Sequence, residues 1–493
     1  MNILMIYPKY PDTFWSFRHV LKFISKKATF PPLGLLTVAS MLPKEWNKKL
    51  VDLNVRSLED KEILWADFVF ISAMIIQEES AKEVINRCKS FNKKIVVGGP
   101  AFTTGFERFK DVDYFVLNEA EITLPLFLKD LQKGKLKKIY FSTKRPDITK
   151  TPIPSWNLIN FKDYATMPIQ YSRGCPYNCE FCDIIIMNGR IPRVKNEEQM
   201  LNEFQILYDL GWRDSVFIVD DNFIGNKEGV KRLLPHIIKW QKEHKYPFKL
   251  FTEASVNLAD DEELMGLMSL ANFDKVFLGI ESPDVDSLKE CNKILNVNTN
   301  LGEAVRKIQR KGMQVMGGFI VGFDNDNEKI FDSQIKFIQK VGIVTAMVGL
   351  LVALPQTRLW NRLRKEKRLV KISSGENTDG TLNFIPKMDK EKLIGGYKKI
   401  IGTIYHPKNY YKRIEVFTKN YKQTAKGKIK FENLISFLKS VWFIGILSKA
   451  RLFYWKLLIR TGITKPSAFP TVIEMAVEGA HYEKVSKRIL SSN

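Results

Sequence analysis

Short runs rich in Val, Ile and Phe recur along the chain with helical stretches between them, and this alternation restricts the fold more than any other feature. Over residues 1 to about 145 the runs are "NILMIYP", "KLVDLNV", "FVFISAMI", "KKIVVGGP" and "DYFVLNEAE", separated by 15–30 residues. Continuous apolar strands spaced by helices are what a parallel sheet covered on both faces requires. The pattern predicts a five-stranded, doubly wound (Rossmann-like) domain over residues 1–145, with ligands beyond the carboxyl ends of its strands.

Pro146, Pro152 and Pro154 then mark an extended connector, taken as residues 146–165. From about Met167 the alternation resumes with six further strand candidates, "PIQYSRG", "SVFIVDDN", "FKLFTEAS", "KVFLGIES", "VMGGFIVGF" and "TAMVGLLVALP". Helical stretches such as Asn196–Leu210 and Lys227–Lys242 lie between them. Six successive βα units predict a partial (β/α)6 barrel over residues 166–385, with chemistry at its carboxyl rim. The remainder, 386–493, loses the pattern and reads as a helical domain rich in Lys, Tyr, Trp and Phe.

The stretch "YSRGCPYNCEFCDI" puts Cys175, Cys179 and Cys182 within eight residues of a chain with only two other cysteines, Cys88 and Cys291. An odd, clustered set excludes a disulfide framework and fits a reducing compartment. Gly174, Pro176 and Asn178 favour a loop over a helix at this point. A structural zinc site wants four ligands, usually in Cys-x-x-Cys pairs, and the five scattered histidines offer no such spacing. A four-iron cluster held by three thiolates instead leaves one iron open to bind and reduce a small molecule. The zinc reading survives as the alternative: a non-catalytic protein that docks on RNA or membrane.

Cys-x-x-x-Cys-x-aromatic-Cys at the end of the first strand of a βα barrel resembles the signature of the radical S-adenosylmethionine enzymes, with Phe181 in the aromatic place. The resemblance implies a 4Fe-4S cluster on Cys175, Cys179 and Cys182, and S-adenosylmethionine chelating the fourth iron. It also implies that polar groups at later strand ends hold that cofactor. Asp220 and Asp221 stand where the family binds the methionyl amine. Glu253, Ser255 and Glu281 offer acceptors to ribose, and Gly317, Gly318 and Gly322 let backbone approach an adenine. Each such residue also suits a helix N-cap or a turn.

The first domain is similar to cobalamin-binding domains, in which a Ser after the third strand and a Gly-Gly after the fourth line the corrin tail; here these are Ser72, Gly98 and Gly99. The Asp-x-His-x-x-Gly motif expected after the first strand is absent, so cobalamin is expected without a histidine lower ligand. The three extra N-terminal cysteines of methylthiotransferases are absent too. Over residues 1 to about 375 the chain resembles the cobalamin-dependent radical methylases, the family that includes bacterial hopanoid C-2 methylase. The resemblance implies methyl transfer to an unactivated carbon of a hydrophobic small molecule, with flavodoxin or ferredoxin as electron donor. A cobalamin-assisted rearrangement or cyclisation is the alternative within the same chemistry.

Net charge is +23, and Lys387 to Gly462 carries eighteen Lys/Arg against Asp389, Glu391, Glu415 and Glu432. Such asymmetry points to an anionic partner. Trp442, Phe443, Phe453, Tyr454 and Trp455 alternate with Lys439, Lys449, Arg451, Lys456 and Arg460, a composition suited to an interfacial helix. Each cation near an anionic leaflet adds about 1 kcal/mol. The same helices could equally close the barrel or cover its open edge. Nucleic acid is disfavoured, because no RNA-binding motif appears. The N-terminus lacks a basic n-region and "VWFIGIL" is far shorter than the roughly 20 residues of a spanning helix, so the protein is expected to be cytoplasmic, at most peripheral on the membrane.

Overall fold

The computed structural model describes residues 1–376, 378–427 and 431–491, without the side chains of 431 and 432. Asn377 of the predicted barrel segment, the side chain of Glu432 and the last two residues of the predicted C-terminal domain therefore lie outside the described set.

The first domain is a parallel sheet of β1 (Asn2–Tyr7), β2 (Asn47–Asp52), β3 (Phe68–Ser72), β4 (Lys94–Gly98), β5 (Tyr114–Val116) and β6 (Ile139–Tyr140), in the order 2-1-3-4-5-6. It has six strands where the apolar pattern predicts five. The sixth, within "KKIY", is two residues long and too short to carry a periodic signal, but it pairs with β5 as the edge. Alternate side chains of each strand serve opposite faces. Ile3, Met5, Phe70 and Val96 meet helices Leu33–Met41 and Ala120–Gln132, whereas Leu4, Ile6, Ile71 and Val97 meet Glu78–Ser90. That two-sided burial is why the strands read as continuous apolar runs.

The connector is pinned by short 3-10 turns, with Trp156 buried. Next come β7 (Met167–Ile169) and a small antiparallel hairpin of β8 (Ser172–Arg173) and β9 (Arg193–Val194), which no periodicity announces. The barrel sheet continues with β10 (Val216–Ile218), β11 (Leu250–Ala254), β12 (Phe273–Glu281), β13 (Gln314–Val321) and β14 (Ala346–Leu350). All six barrel strands are parallel and stand in chain order, and β7 and β14 end the sheet without pairing to each other. Val216, Ile218, Leu250, Thr252 and Val276 are fully buried under the outer helices. Phe217, Phe251, Glu253 and Phe277, one position away, face the lumen and are only half-buried.

The C-terminal helices complete this open barrel. Lys390–Ile404 lies along β14, and Tyr405 donates its hydroxyl to the Ala346 carbonyl. Arg413, fully buried, donates to the carbonyls of Ile404 (2.7 Å) and Val344 (3.0 Å). The helix Phe469–Ser491 closes the amino end, where Glu474 and Glu478 pair with Lys275 at the bottom of the lumen. Among the described residues no helix is long and apolar enough to cross a membrane.

Candidate active site

The cysteine loop is held at its start by the end of β10. Asp220, 1 % exposed, accepts hydrogen bonds from the Tyr171 N–H (2.8 Å), the Ser172 N–H (2.9 Å) and the Ser172 hydroxyl (2.7 Å). Asp221 accepts from the Gly174 N–H and the Asn188 amide, both at 2.9 Å. Gly174 sits at φ +105°, and a Cβ there would lie 2.9 Å from the Ile191 carbonyl oxygen, so only glycine allows the chain to turn. The far side of the loop is tied to the rest of the rim. Glu180 donates its N–H to the Cys291 carbonyl at 2.9 Å, and Asn292 donates to the Asn178 carbonyl at 2.8 Å.

Cys175, Cys179 and Cys182 are all partly accessible, while Cys88 and Cys291 are buried in packing roles. Burial pushes all three loop thiols above the ordinary cysteine value. Three partly accessible thiols on one loop are the donor chemistry that a multi-iron cluster takes.

The other rim residues gather around this loop. Asn222 reaches the Cys175 sulfur at 4.0 Å and hydrogen-bonds the Ser255 hydroxyl (3.2 Å) and N–H (3.2 Å), so it joins two predicted positions that the sequence left separate. Glu253 faces the lumen with no hydrogen-bond or ion-pair partner among the described residues. Burial, reinforced by Asp221 and Asp220, raises its carboxyl to about 8. A half-buried carboxyl with no partner among the described residues can accept from a hydroxyl-bearing ligand. Glu281, at φ +62°, pairs with the half-buried Lys293, whose ammonium also lies in the field of Cys179. Phe181 packs toward Phe323, ring centres 6.4 Å apart.

The glycines in and just after β13 serve neighbouring groups instead of opening a backbone face. A Cβ on Gly318 would stand 2.8 Å from the Phe277 ring, and one on Gly317 would meet Phe319 and Ile343. The Gly322 N–H is already taken by Asp326 at 2.8 Å. The room they leave is filled by aromatics. Phe217 and Phe251 stack at 4.6 Å, Phe30 packs on both, and Trp15 lies 5.0 Å from Phe277.

Ser72, Gly98 and Gly99 meet at the carboxyl end of the first sheet and line a cavity of about 380 Å³. Gly99 has φ +91° and a Cβ on it would lie 2.6 Å from the Ser72 hydroxyl, so side chains there would fill the cradle. The opposite wall is the barrel: Gln170, Arg173, Lys195 and Val219. Among the described residues no histidine lines the cavity. The two domains are locked at its edge by Glu119, which binds Arg173 (2.8 Å) and Arg193 (2.9 Å).

Three family models match the chain: a B12 binding domain over residues 23–128, the Radical SAM superfamily over 169–338, and a domain of unknown function (DUF4070) over 357–493. An uncharacterized methyltransferase of Synechocystis sp. is 42% identical over 490 residues, covering 98% of this chain and 91% of that one. The hopanoid C-2 methylase of Rhodopseudomonas palustris is 34% identical over 474 residues, covering 93% and 89%. The chain belongs to the cobalamin-dependent radical S-adenosylmethionine methyltransferases.

Solved structures agree with this methyltransferase in fold. The cobalamin-dependent S-adenosylmethionine radical enzyme OxsB superposes with a TM-score of 0.65 at 16% identity, over 99% of this chain and 80% of that one. The radical S-adenosylmethionine methyltransferase TsrM from Kitasatospora setae gives 0.61 at 13%, over 97% and 99%. The cofactors of the methyltransferase are thus a 4Fe-4S cluster, S-adenosylmethionine and cobalamin. Sequence reasoning missed three kinds of residue here. Asn222 was legible in principle, as the third polar residue of "VDDN" at a strand end. Phe30 and Trp15, and the Glu119 hub, come from distant segments and carry no local signal.

Proposed function

We propose that this methyltransferase adds a methyl group to an unactivated carbon of a hydrophobic, hopanoid- or lipid-like molecule. The observation that carries the reading is the aromatic lining of the barrel lumen. Phe30, Phe217, Phe251 and Phe277 stand directly below the strand ends that bear Glu253 and Ser255. Such a lining removes water from an apolar ligand and offers it no hydrogen bond. The relative at 34% identity, a hopanoid C-2 methylase, supports the same substrate class.

Cys175, Cys179 and Cys182 hold the cluster in this reading. Asp220 spends its oxygens on Tyr171 and Ser172 and so fixes the loop. Asp221, whose second oxygen has no hydrogen-bond partner among the described residues, would hold the amine of S-adenosylmethionine. Glu253, Ser255 and Glu281 accept from its hydroxyls, and Phe181 packs beside the cluster loop. Ser72, Gly98 and Gly99 receive cobalamin without a histidine ligand. When bound, these groups supply one-electron cleavage chemistry and a methyl carrier; the chain orients them and keeps water out. A small reductant protein of the flavodoxin or ferredoxin type supplies the electron. A cytoplasmic location is supported by the cysteine usage, few in number and with three clustered on one loop, which suits a reducing compartment.

The test is anaerobic turnover of the reconstituted enzyme with candidate lipids, reading deoxyadenosine and product mass. Cys179→Ala should retain the fold and lose deoxyadenosine; unchanged production would refute the cluster assignment. A product isomeric with its substrate, lacking one added methylene, would point to rearrangement instead.

A further inference from the structure

The C-terminal helices Phe431–Ser440 and Arg451–Thr464, joined through the π-helical turn Val441–Ile446, are apolar on two faces. The inner face buries Ile444, Tyr454, Leu457 and Leu458 against the protein. The outer face carries Leu434, Leu438, Trp442 and Ile446 on the first limb and Leu452, Trp455, Ile459 and Ile463 on the second, all more than a third exposed. On the second limb these recur at spacings of three and four, which is one continuous stripe of a helix. Among the described residues, eleven of the twenty-eight large hydrophobic side chains exposed to this degree fall between Leu434 and Ile463. A surface helix of a globular protein ordinarily has one apolar stripe, and a second marks a contact still to be made.

Charge identifies the partner. Between Glu432 and Glu474 the chain has no carboxylate, but it has Lys439, Lys449, Arg451, Lys456, Arg460 and Lys465. Lys449, Arg451 and Lys456 are exposed and make no ion pair with a described residue. A second copy meeting this face across a two-fold axis would set cation against cation. An anionic lipid surface instead takes apolar side chains into its acyl boundary and cations at its headgroups.

We propose that this hairpin docks the methyltransferase on an anionic bilayer and that substrate enters the barrel from there. The hairpin grips the segment between β1 and the helix Leu33–Met41. Ser436 donates to the Phe23 carbonyl (3.3 Å), Lys439 to the Ser25 hydroxyl (2.8 Å), and Phe443 packs on Phe23. That same segment supplies Trp15 and Phe30 to the lumen. The docking surface and the substrate chamber are thus two ends of one stretch of chain. The inference rests on the preceding section only for the lipid nature of the cargo.

The experiment is flotation of the full-length reconstituted enzyme with phosphatidylcholine vesicles, with and without phosphatidylglycerol. Three variants are compared: Leu438→Glu with Ile459→Glu, Lys449→Gln with Arg451→Gln and Lys456→Gln, and the equally exposed Leu64→Glu on the first domain as control. Expected are binding to the anionic vesicles, at least a tenfold loss in the first two variants, and none in the control. Deoxyadenosine formation without substrate should be unchanged in all. Absence of vesicle binding by the unaltered enzyme, or equal binding by the glutamate variant, overturns the proposal. A dimer in light scattering that the glutamate substitutions dissolve overturns it in favour of a second copy. Flotation decides docking even if no lipid is methylated, so the two failures stay distinguishable.

Discussion

Arg362 donates to both carboxylate oxygens of Glu180, at 2.7 and 3.0 Å, and thereby ties the helix after the last barrel strand to the middle of the cysteine loop. Glu180 lies between Cys179 and Phe181, so the pair is a brace on the cysteine loop supplied from almost two hundred residues away. The same guanidinium binds Asp324 at 2.8 Å, and Arg368 joins it there. Burial alone would raise the Asp324 carboxyl, but the two arginines hold it down to about 2. Planar, forked donors suit this double recognition.

Arg362→Met should therefore loosen the loop without removing a thiol. Hydrogen bonds to charged groups contribute about 1.5–3 kcal/mol each, and Glu180 would be left buried and unpaired. Iron and sulfide content after anaerobic reconstitution should fall to less than half, with a lowered Tm. Full iron occupancy in the variant would show that the brace is dispensable.

Gly174→Ala tests the turn that begins the loop. Alanine at φ +105° carries strain of about 1–2 kcal/mol, and its methyl would press on the carbonyls of Ile191 and Gly189. Reduced cluster loading with intact far-UV circular dichroism is expected. A variant that reconstitutes like the parent contradicts the geometry described for Gly174.

Glu253 makes stability depend on pH. Its carboxyl is raised from 4.5 to about 8 by burial and by Asp221 and Asp220. The folded state thus resists ionisation, and stability falls as pH rises through that window. Glu253→Gln should raise the Tm of cofactor-free protein at pH 8 by a few degrees and change it little at pH 5. A Tm gain equal at both pH values would count against a raised carboxyl.

His481 gives the opposite slope. Fully buried, it hydrogen-bonds the Phe14 carbonyl at 3.2 Å and stands beside His19, which pairs with Asp12 at 2.9 Å while Arg488 flanks that carboxylate. Burial, with a smaller push from His19, lowers the imidazole from 6.5 to about 4. The unfolded chain takes its proton first, so this stability is present above pH 6.5 and is lost as pH falls toward 4. His481→Gln should be less stable at pH 7.5 yet show a flatter decline between pH 6.5 and 4.5 in chemical denaturation. An unchanged slope would contradict it.

Phe251→Ala opens the lumen where Phe217 and Phe30 stack on it. Aromatic pairs of this kind contribute about 0.5–1.5 kcal/mol beyond area burial, so KM for a fused-ring lipid should rise about tenfold with a smaller change in kcat. Equal KM values would remove Phe251 from the substrate wall.

How much of this was legible before folding depends on the range of the interaction. The strands of both domains announce themselves because parallel strands buried on two faces must be apolar throughout, and every predicted barrel strand has a counterpart in the structure. The two-residue β6 and the β8–β9 hairpin escaped because they are too short to hold a period. The cysteines were legible because three thiols so close in an otherwise cysteine-poor chain have few chemical uses. Asp220 shows the limit: its place at a strand end suggested a ligand contact, and its actual bonds go to Tyr171 and Ser172.

By itself the sequence determined the two βα domains, the cysteine loop and the family, because these are written in local periodicity and in short spacings. Only the tertiary structure decided what surrounds the chemistry. It set Arg362 on Glu180, Glu119 between Arg173 and Arg193, and Trp15 and Phe30 against aromatic side chains of strands more than 180 residues further on. It also gave the helices over 431–464 an inner face packed on the other C-terminal helices and an outer face left bare. Contacts between distant segments depend on how whole layers stack, and no window of residues contains that information.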